Sequence, residues 1–333
     1  MKDPRKSVFK KSLEPKQAIA VHGFDFSQSF NFEQFLQSFY FTGFQAHNLS
    51  KAIDLVKQMR KEKVRIFLGF TSNIISSGLR ENIVFLTQGK LVDVLVTTAG
   101  GIEEDLAKTH KPFLLGSFDL DGAKLRKKGV NRIGNLLVPN ERYIWFEKFM
   151  RTFLNRIYAE QKKTGKIIHI RELLYEIGKE ISNYPNCESS YLYWAYKNNI
   201  PVFCPGIIDG SAGDQIYFFK KDHSDFLLDS SKDVIEMDDL ALTAEKTGAI
   251  ILGGSLPKHF IMNANQLREG ADFVVYINSH PDFDGSDSGA NLEEAKSWGK
   301  AAHNENSVKV FCDATIAFPL LIAGSFWDKL KKN

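Results

Sequence analysis

Six short runs of apolar residues punctuate the chain, at 64–68, 92–96, 200–204, 249–252, 273–277 and 308–312. Apart from Arg65, Asp93 and Lys309, the residues within the runs are apolar, rather than following the in–out alternation of a half-exposed strand. That pattern predicts parallel strands covered on both faces. Between the runs, apolar residues recur at helical spacing. Phe32, Phe35, Leu36 and Phe39 form one stripe; Leu49, Ala52, Ile53, Val56 and Met59 form another, with Asn48 as its predicted cap. A helix is expected over 257–268 with Gly270 just past its end, and Pro139-Asn140 opens a long amphipathic helix carrying Tyr143, Phe146, Met150, Phe153 and Ile157. The region 102–199 reads as mostly helical. Strands alternating with helices predict an α/β fold, doubly wound and Rossmann-like, with a mostly parallel sheet, helices on both faces and helical elaborations. No repeat or Pro/Gly linker divides the chain, so one domain over 21–333 is expected. The stretch 1–20, with Lys2, Arg5, Lys6, Lys10 and Lys11, reads as a basic, partly flexible tail.

The residues directly after the runs point to function, because open α/β sheets bind ligands beyond the carboxyl ends of their strands. Those ends read Thr71-Ser72-Asn73, Thr97-Thr98-Ala99-Gly100-Gly101, Asp209-Gly210-Ser211, Gly253-Gly254-Ser255, Asn278-Ser279 and Asp313-Ala314. All are small, polar or acidic. Ser72-Asn73 and Thr98-Ala99-Gly100-Gly101 each precede a helical stretch, where free N–H groups would face a phosphate. A nucleotide crevice fits, although the GxGxxG fingerprint is absent.

A second stretch carries candidate chemistry. Asp282, Asp284 and Asp287 alternate with Gly285 and Gly289, and a short helix is expected from about Asn291 to Trp298-Gly299-Lys300. Carboxylates pair ammonium groups, an indole face covers methylenes or a cation, and a neutral lysine is a nucleophile. Asp/Gly/Ser clusters also make ordinary solvated turns, and a lysine late in a helix also serves the helix dipole. From residue pattern alone the result is an α/β protein with a polar, acid-rich ligand crevice.

Composition narrows the classes. At 333 residues, 43% apolar and 25% charged, the chain can bury a large core as a soluble globular protein. A net charge of +3, with basic residues not massed on one element, gives no reason to expect nucleic acid. Cys187, Cys204 and Cys312 are odd in number and far apart, which suits a reducing compartment. Cys204 and Cys312, in apolar runs, read as packing residues. No run of about 18 apolar residues and no signal-peptide core is present, so no membrane is expected and a cytoplasmic location is. The eight histidines form no HExxH and no tight His/Cys cluster, so no metal is indicated.

In this order the segments resemble the deoxyhypusine synthase family, from about Phe24 to Leu330. The resemblance rests on Gly43-Phe44-Gln45-Ala46, Phe70-Thr71-Ser72-Asn73 with Ser76-Ser77-Gly78, the run 92–101 with Glu103-Glu104-Asp105, and the block 131–140. It continues through Asp209-Gly210-Ser211 with Gly213-Asp214, Lys258-His259, and the acidic loop ending in Trp298-Gly299-Lys300. It implies an NAD-dependent enzyme that moves the aminobutyl group of spermidine to one lysine of a precursor translation factor. NAD takes a hydride from spermidine to give an imine, a catalytic lysine takes over the aminobutyl group, the acceptor lysine displaces it, and the hydride returns.

The resemblance assigns roles by position. Lys300 matches the nucleophile, and it must be neutral to react, a state a free lysine reaches in only about one molecule in a thousand near pH 7. Lys296, one turn earlier, is a candidate for like-charge pressure on it. His259 matches the proton acceptor at spermidine's secondary amine, and Trp298 the ring along the polyamine. Asp214, Asp287 and Glu294 match the carboxylates at the ammonium ends, with Glu103 and Glu104 contributing and Gly285 and Ser286 beside them. Ser72, Asn73, Ser76, Thr98, Ala99, Gly100, Glu104, Asp209, Gly254, Ser279, His280, Asp284, Asp313 and Ala314 fall on cofactor positions. Two departures lie on that side: the family's triple glycine is Gly253-Gly254-Ser255, and its Thr-Ala is Ser279-His280. A homotetramer with active sites shared between subunits is implied. Two other readings share these residues: a homospermidine synthase passing the group to putrescine, and a catalytically weak regulatory paralogue, against which the retained Lys300, His259 and Asp214 argue.

Overall fold

The computed structural model describes residues 3–16 and 18–327; Lys2 and Leu330 lie outside them. All six apolar runs form strands, here β1 (Arg65–Phe70), β2 (Val94–Thr97), β3 (Val202–Phe203), β4 (Thr247–Leu252), β5 (Phe273–Asn278) and β6 (Ser307–Phe311). They make one parallel sheet in the order β3-β2-β1-β4-β5-β6. The chain winds outward from β1 in one direction and from β4 in the other. The two meet in register, with Leu68 beside Ile250 and Phe70 beside Leu252. This is the doubly wound arrangement, and its topological switch point lies between β1 and β4.

Period-two geometry explains why the runs are apolar throughout. Along β1, Leu68 and Phe70 enter one core with Ile250, Val275 and Ile277, whereas Phe67 enters the other with Val94, Ile251 and Tyr276. Each such side chain contributes about 1.5–3 kcal/mol on burial, so a polar residue on either face would be costly. Only β6, at the sheet edge, alternates buried and more open positions.

Helices close both faces. Phe32–Thr42 starts at Asn31, whose side chain accepts from the Gln34 N–H at 3.0 Å, and Gly43, at φ +89°, separates it from Phe44–Lys61. The expected helices near 257–268 and after Pro139 appear as Ser255–Gln266 and Glu141–Thr164. The stretch from Asn291 is a helix over Leu292–Ser297, capped by the Asn291 side chain on the Glu294 N–H at 3.0 Å.

Two expectations are corrected. Asn48 is no cap: it sits inside Phe44–Lys61 and donates instead to the Lys309 carbonyl at 3.1 Å, tying the helix to the edge strand. The region 102–199 also contains a three-stranded antiparallel sheet, Leu114–Leu115, Val130–Ile133 and Leu136–Pro139, turned at Gly134 with φ +56°. Its strands are two to four residues long, too short for a period-two signal. At the amino end only Arg5–Val8 is helical, and its side chains are exposed.

Gly178 gives the packing a test. It lies in the Ile170–Ile181 helix against Tyr191–Asn198, where an added methyl would meet the Leu192 carbonyl oxygen at 2.5 Å and Tyr196 Cβ at 2.8 Å. Helix propensity favours alanine by about 1 kcal/mol, but overpacking costs about 1–3 kcal/mol. Gly178→Ala is expected to lower stability in urea unfolding; a more stable variant would show that the two helices separate freely.

Candidate active site

The carboxyl ends of the parallel strands lie along one edge of the sheet, where the switch point between β1 and β4 is. Ser72–Ser76 follows β1 directly, Ala99–His110 follows β2, Ser255–Gln266 follows β4 and Ala314–Ser325 follows β6. Backbones approach closely here. A methyl on Gly100 would lie 2.5 Å from Ser72 Cβ, and one on Gly254 would lie 2.5 Å from Ser288 Cα. The Ser72 N–H donates to Thr98 Oγ1 at 3.1 Å, and the Ser76 hydroxyl donates to Glu104. Neither Ala99–His110 nor Ser255–Gln266 has a side-chain hydrogen bond from its N-cap residue, so first-turn N–H groups other than those of Gly101 and Ser255, which are bonded, can face an anion. Thr97 Oγ1 and Asn278 Nδ2, at the ends of β2 and β5, are buried without a partner. Small residues, close backbones and unsatisfied polar groups fit a dinucleotide.

The remaining cofactor candidates stand around this opening. Asp209, Ser279 and His280 are exposed, and Ala99 and Ala314 are buried. Asp313 caps its helix through the Thr315 N–H at 2.7 Å, and Asp284 accepts from the Ser286 N–H at 2.8 Å. Asn73 lies in the first turn after β1. Ser255, the residue in place of a third glycine, adopts φ +58°, a left-handed conformation that costs a side chain about 1–2 kcal/mol. Its N–H donates to Ser288 Oγ at 3.1 Å, joining the floor of the crevice to the acidic loop.

That loop forms one wall of a cavity of about 400 Å³, enclosed by Ser255–Gln266 and Leu292–Ser297. Lys300, His259, Asp287, Glu294, Trp298 and Gly285 all line it; Ser286, exposed nearby, accepts from the Ser288 N–H at 3.2 Å. Lys300 is half-buried, with Nζ 5.7 Å from the centre of the Trp298 ring. Asp287 Oδ2 is buried with no hydrogen-bond partner, and so is the Tyr276 hydroxyl on the same cavity. Buried polar atoms left unpaired cost about 1–3 kcal/mol each, so the cavity is complementary to a ligand rich in N–H donors. His259 Nδ1 is 3.1 Å from the Asn263 amide. Asn263 Nδ2 faces Nδ1, which accepts from it, so the neutral ring carries its proton on Nε2.

The positive neighbour of Lys300 differs from the one expected. Lys296 is paired with Glu293 at 2.8 Å. Lys258 is instead buried under the cavity, donating to the Asp287 carbonyl and, at 3.2 Å, to the Ala290 carbonyl, with its ammonium 4.6 Å from the Tyr276 ring centre. Burial holds its pKa below the usual lysine range, and the charges of Lys309 and Lys300 add to that while Asp287 opposes it. Lys258, Tyr276 and Asn263 were not among the site residues read from the sequence. Asn263 had a legible signal, one helical turn beyond His259; a buried lysine and a tyrosine inside an apolar strand had none.

Glu103 and Asp214 lie elsewhere. Asp214 lines a different cavity, of about 260 Å³, with Tyr143 and Ser211. Glu103 is beside it, accepting from the Ala212 N–H at 2.8 Å. Burial raises Glu103 to about 7, against hydrogen bonds from the Ala212 and Ser211 N–H groups, with Asp214 and Asp209 adding to the rise. Burial likewise raises Glu104 to about 8, opposed by the Ser76 hydroxyl. Tyr143, a site residue the sequence did not single out, is raised above its ordinary range by burial and then by Glu104 and Glu103.

These shifts fix a sign. A carboxyl whose folded pKa exceeds its unfolded value stabilises the fold below the unfolded pKa and loses that contribution as pH rises through the folded one. For Glu103 the window runs from about 4.5 to about 7, worth on the order of 3 kcal/mol at most at about 1.4 kcal/mol per pKa unit. Glu103→Gln should therefore gain stability over the parent between pH 5 and pH 8 in urea unfolding. An equal difference at both pH values would mean that Glu103 ionises as freely as in the unfolded chain.

Comparison with known proteins agrees with this geometry. The family model described as deoxyhypusine synthase matches residues 34–325. A deoxyhypusine synthase of Arabidopsis thaliana is 49% identical, covering 97% of this chain and 94% of its own. A homospermidine synthase of Senecio vulgaris is 48% identical over 98% and 95% respectively. Among solved structures, a putative deoxyhypusine synthase from Entamoeba histolytica superposes with a TM-score of 0.64 at 26% identity, covering 92% of this chain and 97% of that one. The chain belongs to the deoxyhypusine synthase family, whose members are NAD-dependent transferases.

Proposed function

We propose that this chain transfers the aminobutyl group of spermidine to one lysine of the precursor of the hypusine-containing translation factor, through an imine on Lys300. The observation that carries the reading is the unpaired, buried Asp287 Oδ2 on the same cavity as Lys300 and Trp298. A polyamine satisfies that oxygen with an ammonium N–H, and Glu294 stands on the same wall for further ammonium contacts. The Trp298 face covers the methylenes. His259 is the proton acceptor for the secondary amine. Lys300 Nζ then forms a C=N bond to the aminobutyl carbon while the C–N bond to the leaving diamine breaks. The acceptor lysine repeats the exchange and frees Lys300. Bound at the strand ends, NAD supplies reversible hydride acceptance, and Ser72, Asn73, Ser76, Thr98, Ala99, Gly100, Glu104, Asp209, Gly254, Ser279, His280, Asp284, Asp313 and Ala314 would hold it.

Asp214 and Glu103 enter this reading through assembly. Asp214 lines a different cavity from Lys300, with Glu103 bonded to the neighbouring Ala212 N–H, and a homotetramer in which each active site draws on two subunits would unite the two groups. A cytoplasmic location belongs to the same reading. Among the described residues no helix is long and apolar enough to cross a membrane. Neither nucleic acid nor membrane is a partner in it.

A second reading has its own support: the homospermidine synthase relative is as similar as the deoxyhypusine synthases. Both activities use the Lys300 cavity and differ only in the amine that accepts the group. Incubation with spermidine, NAD, the precursor factor and putrescine together decides between them. Aminobutyl transfer to the factor's lysine is expected; homospermidine as the sole product would establish the alternative, and no transfer between pH 7 and 10 would refute both.

Asp287→Asn keeps the size of the side chain and removes its charge. A hydrogen bond to a charged group is worth about 1.5–3 kcal/mol, or about 10- to 100-fold in affinity. Spermidine binding measured by calorimetry should weaken by that factor, with NAD binding little changed. Equal weakening of both ligands would place Asp287 outside the amine site.

A further inference from the structure

Gly100, Glu104 and Lys108 are spaced by four residues on the Ala99–His110 helix and so share one face. Each meets the segment that follows β1. Gly100 backs onto Ser72, Glu104 accepts the Ser76 hydroxyl, and Lys108 Nζ donates to the Ile75 carbonyl at 2.8 Å and the Ser77 carbonyl at 2.6 Å, with Ser76 O at 3.4 Å. Lys108 is half-buried, and no carboxylate lies within ion-pair distance of it among the described residues. Its ammonium is spent on backbone carbonyls at the carboxyl end of the Ser72–Ser76 turn. Those carbonyls have no helical partner.

We infer that Lys108 is a positioning residue for the cofactor: it fixes the Ser72–Ser77 segment against the Ala99–His110 helix and favours the carboxylate form of Glu104. The first part follows from the three rungs, since the segment carrying Ser72, Asn73 and Ser76 is bound to its neighbour helix at both ends. The second follows from charge. Glu104 is 4% exposed, between Glu103, which opposes its ionisation, and Lys108, which favours it. The other charged or titratable groups around the pair are Arg80 and Glu81 from the Arg80–Gln88 helix, Asp105 from the same helix as Lys108, Tyr143 from Glu141–Thr164 and Tyr191 from Tyr191–Asn198. Arg80 is already committed, facing Asp105 at 3.8 Å and Glu81 at 3.4 Å. Burial brings Lys108 itself down to about 8, with Arg80 adding to the depression.

The inference rests on the reading that NAD occupies the crevice with Glu104 accepting from it, and the two fail separately. NAD affinity is measured by calorimetry from pH 6 to pH 9.5 for the protein and for Lys108→Met and Lys108→Arg, with folding checked by thermal unfolding. The parent should bind NAD more tightly as Glu104 ionises. Lys108→Met should bind about tenfold more weakly at neutral pH, with the midpoint of the pH profile moved upward, because the cation that favours the carboxylate is gone. Lys108→Arg keeps the charge and should keep the midpoint. Spermidine binding at the Lys300 cavity should be little altered in either. A parent that does not bind NAD overturns the reading of the crevice. A parent that binds, with Lys108→Met at unchanged affinity or weakened with an unmoved midpoint, overturns the role of Lys108. If Lys108→Met does not fold, a midpoint moved upward in Lys108→Arg overturns it equally.

Discussion

An acid oxygen buried beside a lysine, with nothing to bond to, is the constraint on which the site depends. Asp287 Oδ2 and the Tyr276 hydroxyl are shut away from water without partners in the protein. Their neighbour Lys258 does not relieve them, because its donors go to the carbonyls of residues 287 and 290. The fold therefore carries a desolvation cost that a cationic, donor-bearing ligand removes. The same lysine that shapes the acidic loop also feels the charge of Lys300, so one buried ammonium bears on both the loop and Lys300.

The sheet makes this possible. Parallel strands end together, and the acidic loop follows β5 while Ser255–Gln266 follows β4. Lys258 and His259, in the first turn and a half of that helix, are thereby held against the loop that supplies Asp287. The cofactor crevice and the lysine cavity share the Gly254–Ser288 contact, where the backbones are too close for any side chain on Gly254. Strand topology thus keeps the proposed cofactor residues and the Lys300 cavity adjacent. Ser255 sits at that junction in a left-handed conformation, so the departure from a third glycine strains the backbone where the two sites meet.

Much of this was legible in the residues. The strands could be read because the inner ones are buried on both faces, which leaves mostly apolar runs, whereas β6 at the sheet edge alternates and the 200–204 run, at the other edge, yields a strand of two residues. The Asn291 start of the short helix was legible because capping is local. The sheet at 114–139 was not, since its strands are too short to carry a period, and Asn48 looked like a cap because its partner, the Lys309 carbonyl, is 261 residues away. Within the site, the motif Trp298-Gly299-Lys300 with Asp287, Glu294 and His259 converged on one cavity. The separation of Asp214 and Glu103 from that cavity was invisible, because linear order says nothing about which side of the sheet's end a helix turns toward. Lys258 was hidden for a general reason: lysines are almost always exposed, and only three dimensions reveal one bonded to carbonyls beneath a tyrosine.

The central claim is that Lys300 carries the aminobutyl group. Borohydride reduction of the protein incubated with spermidine and NAD, followed by peptide mass spectrometry, tests it most directly. The account predicts a reduced aminobutyl adduct on the peptide bearing Lys300, dependent on both ligands and absent in Lys300→Ala. An adduct on another lysine, or undiminished transfer by Lys300→Ala, would contradict it.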